Sequence, residues 1–130
     1  MSPPKPKILV IDDEPVCLTL LSEYLTDSGY EAMAINKGLE AWEILSKAVH
    51  NFSVIILDRL MPDLDGMTLL ERIKKHSLLR AIPVIMLTSN ANKEEVIAAV
   101  KGGIYDFLLK PIDKELLILV IQRALRDCNI

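Results

Sequence analysis

The chain predicts an α/β fold: a doubly wound parallel sheet of five strands, in the order 2-1-3-4-5, with five helices. Two observations carry this. Short apolar, β-branched runs alternate five times with segments whose apolar residues recur at helical spacing. Runs such as Ile8-Leu-Val-Ile11 and Val54-Ile-Ile-Leu57 are apolar throughout instead of alternating, as strands are when helices cover both faces of a parallel sheet. No linker interrupts the pattern, and 130 residues with 51% hydrophobic content suit one domain.

Residues 1–6, rich in proline, read as a flexible tail too short and polar for a signal peptide. Residues 7–127 form the domain and 128–130 a second tail. The first strand, 7–11, ends in Asp12-Asp13-Glu14. Pro15 suits a first helical turn, and Cys17, Leu20, Leu21, Tyr24 and Leu25 continue the helical stripe until Gly29 stops it. A strand over 31–35 precedes a helix over 37–48, with Asn36 as its N-cap and Trp42 on an inward stripe with Leu39 and Leu45. Strand 52–57 and helix 66–75 follow. Strand 84–88 leads to a helix over 93–101 ended by Gly102-Gly103, and strand 106–109 leads to the last helix, 113–126.

Composition narrows the function. A net charge of −3 provides no basic footprint for nucleic acid, so direct nucleic-acid binding is not expected. The apolar runs are too short to span a membrane, which suggests a cytoplasmic protein. Cys17 and Cys128 lie far apart without metal-ligand spacing and read as reduced thiols.

In the predicted topology the sheet reverses between its first and third strands, and sites form at the C-terminal strand ends there. Asp12 and Asp13 end the first strand and Asp58 the third, so three carboxylates converge. A hard divalent cation relieves their repulsion, and few carboxylates plus water suit Mg²⁺. Thr88 ends the fourth strand and Lys110 follows the fifth. A carboxylate nucleophile, a cation, a hydroxyl and an ammonium are the groups needed to attack phosphorus and spread charge over phosphoryl oxygens.

Four segments carry a resemblance over the whole chain from Lys7 onward: Ile11-Asp-Asp-Glu14; Leu57-Asp58 with Met61-Pro62-Asp-Leu-Asp-Gly66; Leu87-Thr88-Ser89; and Asp106-Phe-Leu-Leu-Lys110-Pro111. Together they resemble the receiver domains of response regulators in two-component signalling, including chemotaxis regulators. The resemblance implies that Asp58 accepts a phosphoryl group from a sensor histidine kinase or a histidine phosphotransfer protein. It implies Mg²⁺ held by Asp12, Asp13, Asp58 and the backbone carbonyl of Leu60. Lys110 and Thr88 would contact phosphoryl oxygens, Thr88 and Phe107 would switch together, and the Lys110–Pro111 peptide would be cis. The output would be a repacked face of the fourth helix, fifth strand and fifth helix, with slow autodephosphorylation in place of enzymatic turnover. Such a domain serves a stand-alone regulator or part of a longer regulator or hybrid kinase.

Some positions depart from that pattern or stand apart from it. Arg59 follows the acceptor where an apolar residue is usual, and is expected either to be solvated or to contact a kinase or a nearby acid. Leu60 and Asn90 occupy places that govern water access to an acyl phosphate. Glu14 fits the start of a helix dipole, while Asp63, Asp65 and Asp106 read as loop or capping residues. His50 and His76 read as solvated. The last helix is apolar nearly all round: Leu117, Val120 and Leu125 are expected inward, leaving Ile118, Leu119 and Ile121 for a homodimer or output domain. An aspartyl-phosphate hydrolase would place a second Asp where Leu60 stands, and a flavodoxin-like flavin carrier would not place Asp12-Asp13-Glu14 beside a phosphate.

Overall fold

Two hydrophobic clusters lie on opposite faces of one parallel sheet. The computed structural model describes residues 5–47, 51–90 and 92–128. Its elements are β1 (Lys7–Ile11), α1 (Pro15–Asp27), β2 (Glu31–Ile35), α2 (Gly38–Ser46), β3 (Phe52–Asp58), α3 (Gly66–Lys75), a 3₁₀ turn (Leu79–Ala81), β4 (Val84–Thr88), α4 (Lys93–Gly102), β5 (Asp106–Leu109) and α5 (Lys114–Cys128). The strand order is β2-β1-β3-β4-β5, as the sequence predicts.

Successive strand side chains point to opposite faces, so an all-apolar strand feeds two cores. Leu9, Ile11, Ile55, Leu57, Val84 and Met86 pack with Ala41 and Leu45 of α2, Leu69, Leu70 and Ile73 of α3, and Ala99 of α4. Their neighbours Ile8, Val10, Val54, Ile56, Ile85 and Leu87 pack with Leu21 and Leu25 of α1 and with Leu117, Val120, Ile121 and Ala124 of α5. Each such aliphatic side chain contributes about 1.5–3 kcal/mol of burial, which holds strand register against the cost of ordering the chain.

Several local expectations change. Asn36 does not cap α2; the helix starts one residue later, with Lys37 at the N-cap and no side-chain bond from it. The first N–H groups of α2, at Gly38 and Leu39, instead donate to the Asp63 carboxylate at 3.1 and 3.0 Å. A cap supplied across space from the β3–α3 loop leaves no signal in local sequence. Leu20 and Leu39 are exposed, because each lies at the edge of its apolar stripe. His76 is not simply solvated: its Nδ1 accepts from the N–H groups of Leu78 and Leu79 at 3.2 and 3.3 Å, and so shapes the 3₁₀ turn that buries Leu79.

Ile121 corrects the expected partner surface. It is fully buried against the sheet with Leu117, Val120 and Ala124, while Leu119 and also Leu116 are exposed. The helix is rotated so that the small Ala124 faces the sheet and Leu125 moves to the margin. Ile118 is half-buried. Asp113 caps α5, accepting from Leu116 N–H at 2.9 Å. The outermost tail residues 1–4 and 129–130, the expected end of the second helix at Ala48, and His50 lie outside the described residues.

Candidate functional site

The β1 and β3 ends meet where strand order reverses, and Asp12 and Asp58 stand there side by side. Asp12 is fully buried and Asp58 only 5% exposed, the two buried acids among the described residues. Their positions follow from the strands: each comes directly after a run of buried apolar residues, so the sheet delivers both carboxyl groups to one rim. Gly66 closes the floor. A Cβ there would overlap the Asp58 carbonyl oxygen and come 2.8 Å from the Arg59 Cα, so the start of α3 approaches this backbone only as glycine.

Lys110 Nζ contacts three acids: Glu14 Oε1 at 2.5 Å, Asp12 Oδ2 at 2.9 Å and Asp58 Oδ1 at 3.5 Å. Lys110 follows β5 and is joined to Pro111 by a cis peptide. Asp12 Oδ1 accepts from the Glu14 N–H at 2.9 Å. Asp12 Oδ2 has the lysine charge nearby but no directional hydrogen-bond donor among the described residues.

Asp13, Glu14, Asp58, Arg59, Leu60, Thr88, Ser89 and Lys110 line one open cavity of about 260 Å³. The structure therefore brings Asp58, Asp13, Thr88 and Lys110 to a common space, with Asp12 beneath. The Thr88 hydroxyl is turned into its own loop, donating to the Asn90 carbonyl at 3.0 Å and accepting from the Asn90 N–H at 3.2 Å. Phe107 lies behind this cavity, around a small void with Arg59, Thr88, Glu95 and Val96. A larger groove of about 380 Å³ adjoins the site through Glu14, Ser89 and Lys110, but its remaining lining includes Val16, Leu20 and Tyr24 and offers no carboxylate beyond Glu14.

The electrostatics are those of crowded anions. Burial, and then the neighbouring Asp12 charge, push the Asp58 carboxyl up to about 7 against the opposing pull of Lys110. Burial works against the Lys110 ammonium, yet Glu14 and Asp12 outweigh it and hold the group above its ordinary value. Cys17, beside Asp12, is pushed up to about 12 by burial first and by that carboxylate second, which makes it an unreactive thiol.

These features fit a hard divalent cation. Carboxylate oxygens of Asp12, Glu14 and Asp58 lie within 4.8 Å of one another, Asp13 adds another acid at the rim, and a buried Asp12 oxygen lacks a donor. Glu14 is the residue that sequence reasoning placed elsewhere, at the start of a helix dipole. Its place directly after two acids was the available signal. Its carboxylate points back to Lys110 in place of capping α1, whose N-cap has no side-chain bond.

A buried acid at a sheet switch point, with a lysine and a hydroxyl on neighbouring strand ends, defines a doubly wound α/β domain with an acidic, cation-suited site. The chain belongs to the response regulator receiver domain family, whose model matches residues 8–122, and is thus a receiver domain of a two-component system. The chemotaxis protein CheY1 of Helicobacter pylori is 35% identical over 112 residues, covering 85% of this chain and 90% of that protein. The two-component response regulator ORR21 of rice is 36% identical over 92% of this chain, and the chain spans 17% of that protein's length. Among solved structures, Vibrio cholerae chemotaxis protein CheY4 aligns with TM-score 0.86 at 30% identity, covering 93% of this chain and 99% of that one. The receiver domain of sensor histidine kinase PA1611 from Pseudomonas aeruginosa, solved with magnesium in its active site cleft, aligns with TM-score 0.87 at 27% identity, covering 95% of this chain and 100% of that one.

Proposed function

We propose that the domain, residues 7–127, accepts a phosphoryl group on Asp58 and uses it to change a protein-binding surface. The observation that carries this is the buried Asp58 carboxyl at the β1/β3 switch point, with Lys110 Nζ at 3.5 Å and an open cavity above it. The donor is a phosphohistidine on a sensor kinase or phosphotransfer protein. An Asp58 oxygen attacks phosphorus, the P–N bond breaks, and its electron pair leaves with the imidazole, which takes up a proton. Asp12, Asp13, Asp58 and the Leu60 carbonyl would hold Mg²⁺, which when bound neutralises carboxylates and phosphoryl oxygens.

Within the chain, Asp12 anchors Lys110, and Lys110 moves from its acids toward a phosphoryl oxygen. Thr88 leaves Asn90 to donate to another oxygen, and Phe107 fills the space behind it. Water then slowly cleaves the aspartyl phosphate; with Leu60 two residues after Asp58, no second carboxyl stands there as an acid/base for enzymatic turnover.

The output surface is α4, β5 and α5. Val100, Leu109, Leu116 and Leu119 are exposed along these elements, and with the half-buried Ile118 they offer an apolar face to a second copy or an output domain. The pathway is cytoplasmic. Among the described residues no helix is long and apolar enough to cross a membrane.

The decisive experiment is incubation with Mg²⁺ and acetyl phosphate, followed by intact-mass measurement. Wild type gains one phosphoryl group and Asp58→Asn gains none. Wild type that remains unmodified with small-molecule and phosphohistidine donors alike would overturn the proposal.

A further inference from the structure

Arg59 follows Asp58 directly, and its guanidinium pairs with an acid of α4. Nη1 pairs with Glu95 Oε1 at 3.4 Å, with the two side chains 22% and 28% exposed. Arg59 lines both the cavity over Asp58 and the small void that holds Phe107 and Glu95, and Thr88 is the other residue common to the two linings. Together with Thr88 it forms the wall between the two spaces. Its Nε is buried and has no hydrogen-bond partner among the described residues, so the guanidinium keeps an unused donor.

The Arg59 backbone is held at both of its polar groups. Its N–H donates to the Leu87 carbonyl and its carbonyl accepts from the Gly66 N–H, both at 2.9 Å, which ties it to β4 and to the start of α3. The side chain is held by the Glu95 pair. Glu95 sits in the first turn of α4, where its N–H is held by Asn92 Oδ1 at 2.8 Å. That helix is thinly anchored: among its described residues only Ala99 is buried. One partly buried ion pair at its first turn is therefore a substantial share of what holds this end down.

We propose that Arg59 is a positioning residue that transmits phosphorylation of Asp58 to α4 by exchanging partners. This rests on Asp58 being the acceptor. Phosphorylation replaces one carboxylate charge with a group of roughly −1.5 to −2 and three acceptor oxygens. Lys110, shared with Asp12 and Glu14, neutralises only part of it. Arg59 lines the cavity over Asp58, and its guanidinium, once turned toward that cavity, gains more from a dianionic phosphoryl group contacted through paired N–H donors than from the partly exposed Glu95 carboxylate. Arg59 then leaves Glu95, and the first turn of α4 is released. By this route the charge reaches α4 independently of the movement of Thr88.

The test is hydrogen exchange of the α4 segment, residues 93–102, in the full chain, with and without Mg²⁺ and acetyl phosphate; intact mass gives the phosphorylated fraction. In wild type, phosphorylation speeds exchange of the first turn roughly two- to fivefold, the range for loss of one such pair. Unphosphorylated Glu95→Gln already exchanges at that faster rate and gains little on phosphorylation. Arg59→Gln behaves the same way, while Arg59→Lys keeps a phosphorylation-dependent increase. Equal increases in phosphorylated wild type and phosphorylated Arg59→Gln overturn the inference alone. Wild type that takes up no phosphoryl group overturns the acceptor assignment, and the inference with it.

Discussion

Lys110 Nζ lies 2.5 Å from Glu14 Oε1 and 3.5 Å from Asp58 Oδ1, so the lysine is held by the rim acid more closely than by Asp58. Glu14 therefore competes with Asp58 for the one ammonium the acids share. Glu14→Gln weakens that competition, and Lys110 settles nearer Asp58. The expected result is a lower Asp58 pKa in the metal-free protein, followed by carboxyl-carbon NMR. An unchanged or higher value would mean that Lys110 is positioned by Asp12 alone.

Asp58 makes the metal-free fold sensitive to pH. Its carboxyl titrates near 7 in the folded protein and near 3.8 as a free side chain. Between these values the folded state binds more protons than the unfolded state, so stability falls as pH rises from about 4 through 7 and then levels off. Asp58→Asn removes this decline and is more stable than wild type at pH 8 without metal, by on the order of 1–3 kcal/mol. With Mg²⁺ bound as proposed, a similar effect is expected in wild type, the melting temperature rising more at pH 8 than at pH 5. Denaturant titrations across that range, with and without Mg²⁺, supply the comparison.

Asp63 behaves in the opposite sense. Hydrogen bonds from the backbone N–H groups of Leu39 and Gly38 hold its carboxyl below the ordinary value, so its contribution is present above the unfolded pKa and lost as pH falls through the folded one. Asp63→Ala should cost about 1 kcal/mol at pH 7, as loss of a helix cap does. The difference from wild type should shrink in acid. A penalty independent of pH would point to packing of the loop, not to the charge.

Leu60 is 68% exposed at the mouth of the cavity, two residues beyond Asp58. An apolar side chain there offers an attacking water nothing to hydrogen-bond. Leu60→Asn supplies a donor and an acceptor and is expected to shorten the life of the aspartyl phosphate proposed at Asp58 severalfold, read as loss of the phosphoryl mass after donor removal. Equal lifetimes would show that Leu60 does not control water access.

The order and type of the elements were legible because the relevant physics is local: apolar runs two strand faces deep, helical periodicity, and Pro or Gly at boundaries. Strand order then placed Asp12, Asp13, Asp58, Thr88 and Lys110 at one edge, since a residue just after a parallel strand has nowhere else to go. The chain alone thus determined the architecture and which strand-end residues share that edge, but not that Glu14 joins Asp12 and Asp58 in the acidic cluster. Tertiary structure decided where the longer and more mobile polar groups turn: Glu14 toward Lys110, Arg59 toward Glu95, Asp63 to the start of α2, and His76 into its own turn. It also set the rotation of α5, which buries Ile121 and exposes Leu116. Such choices depend on charges and surfaces brought together from distant parts of the chain, and neither periodicity nor spacing encodes them.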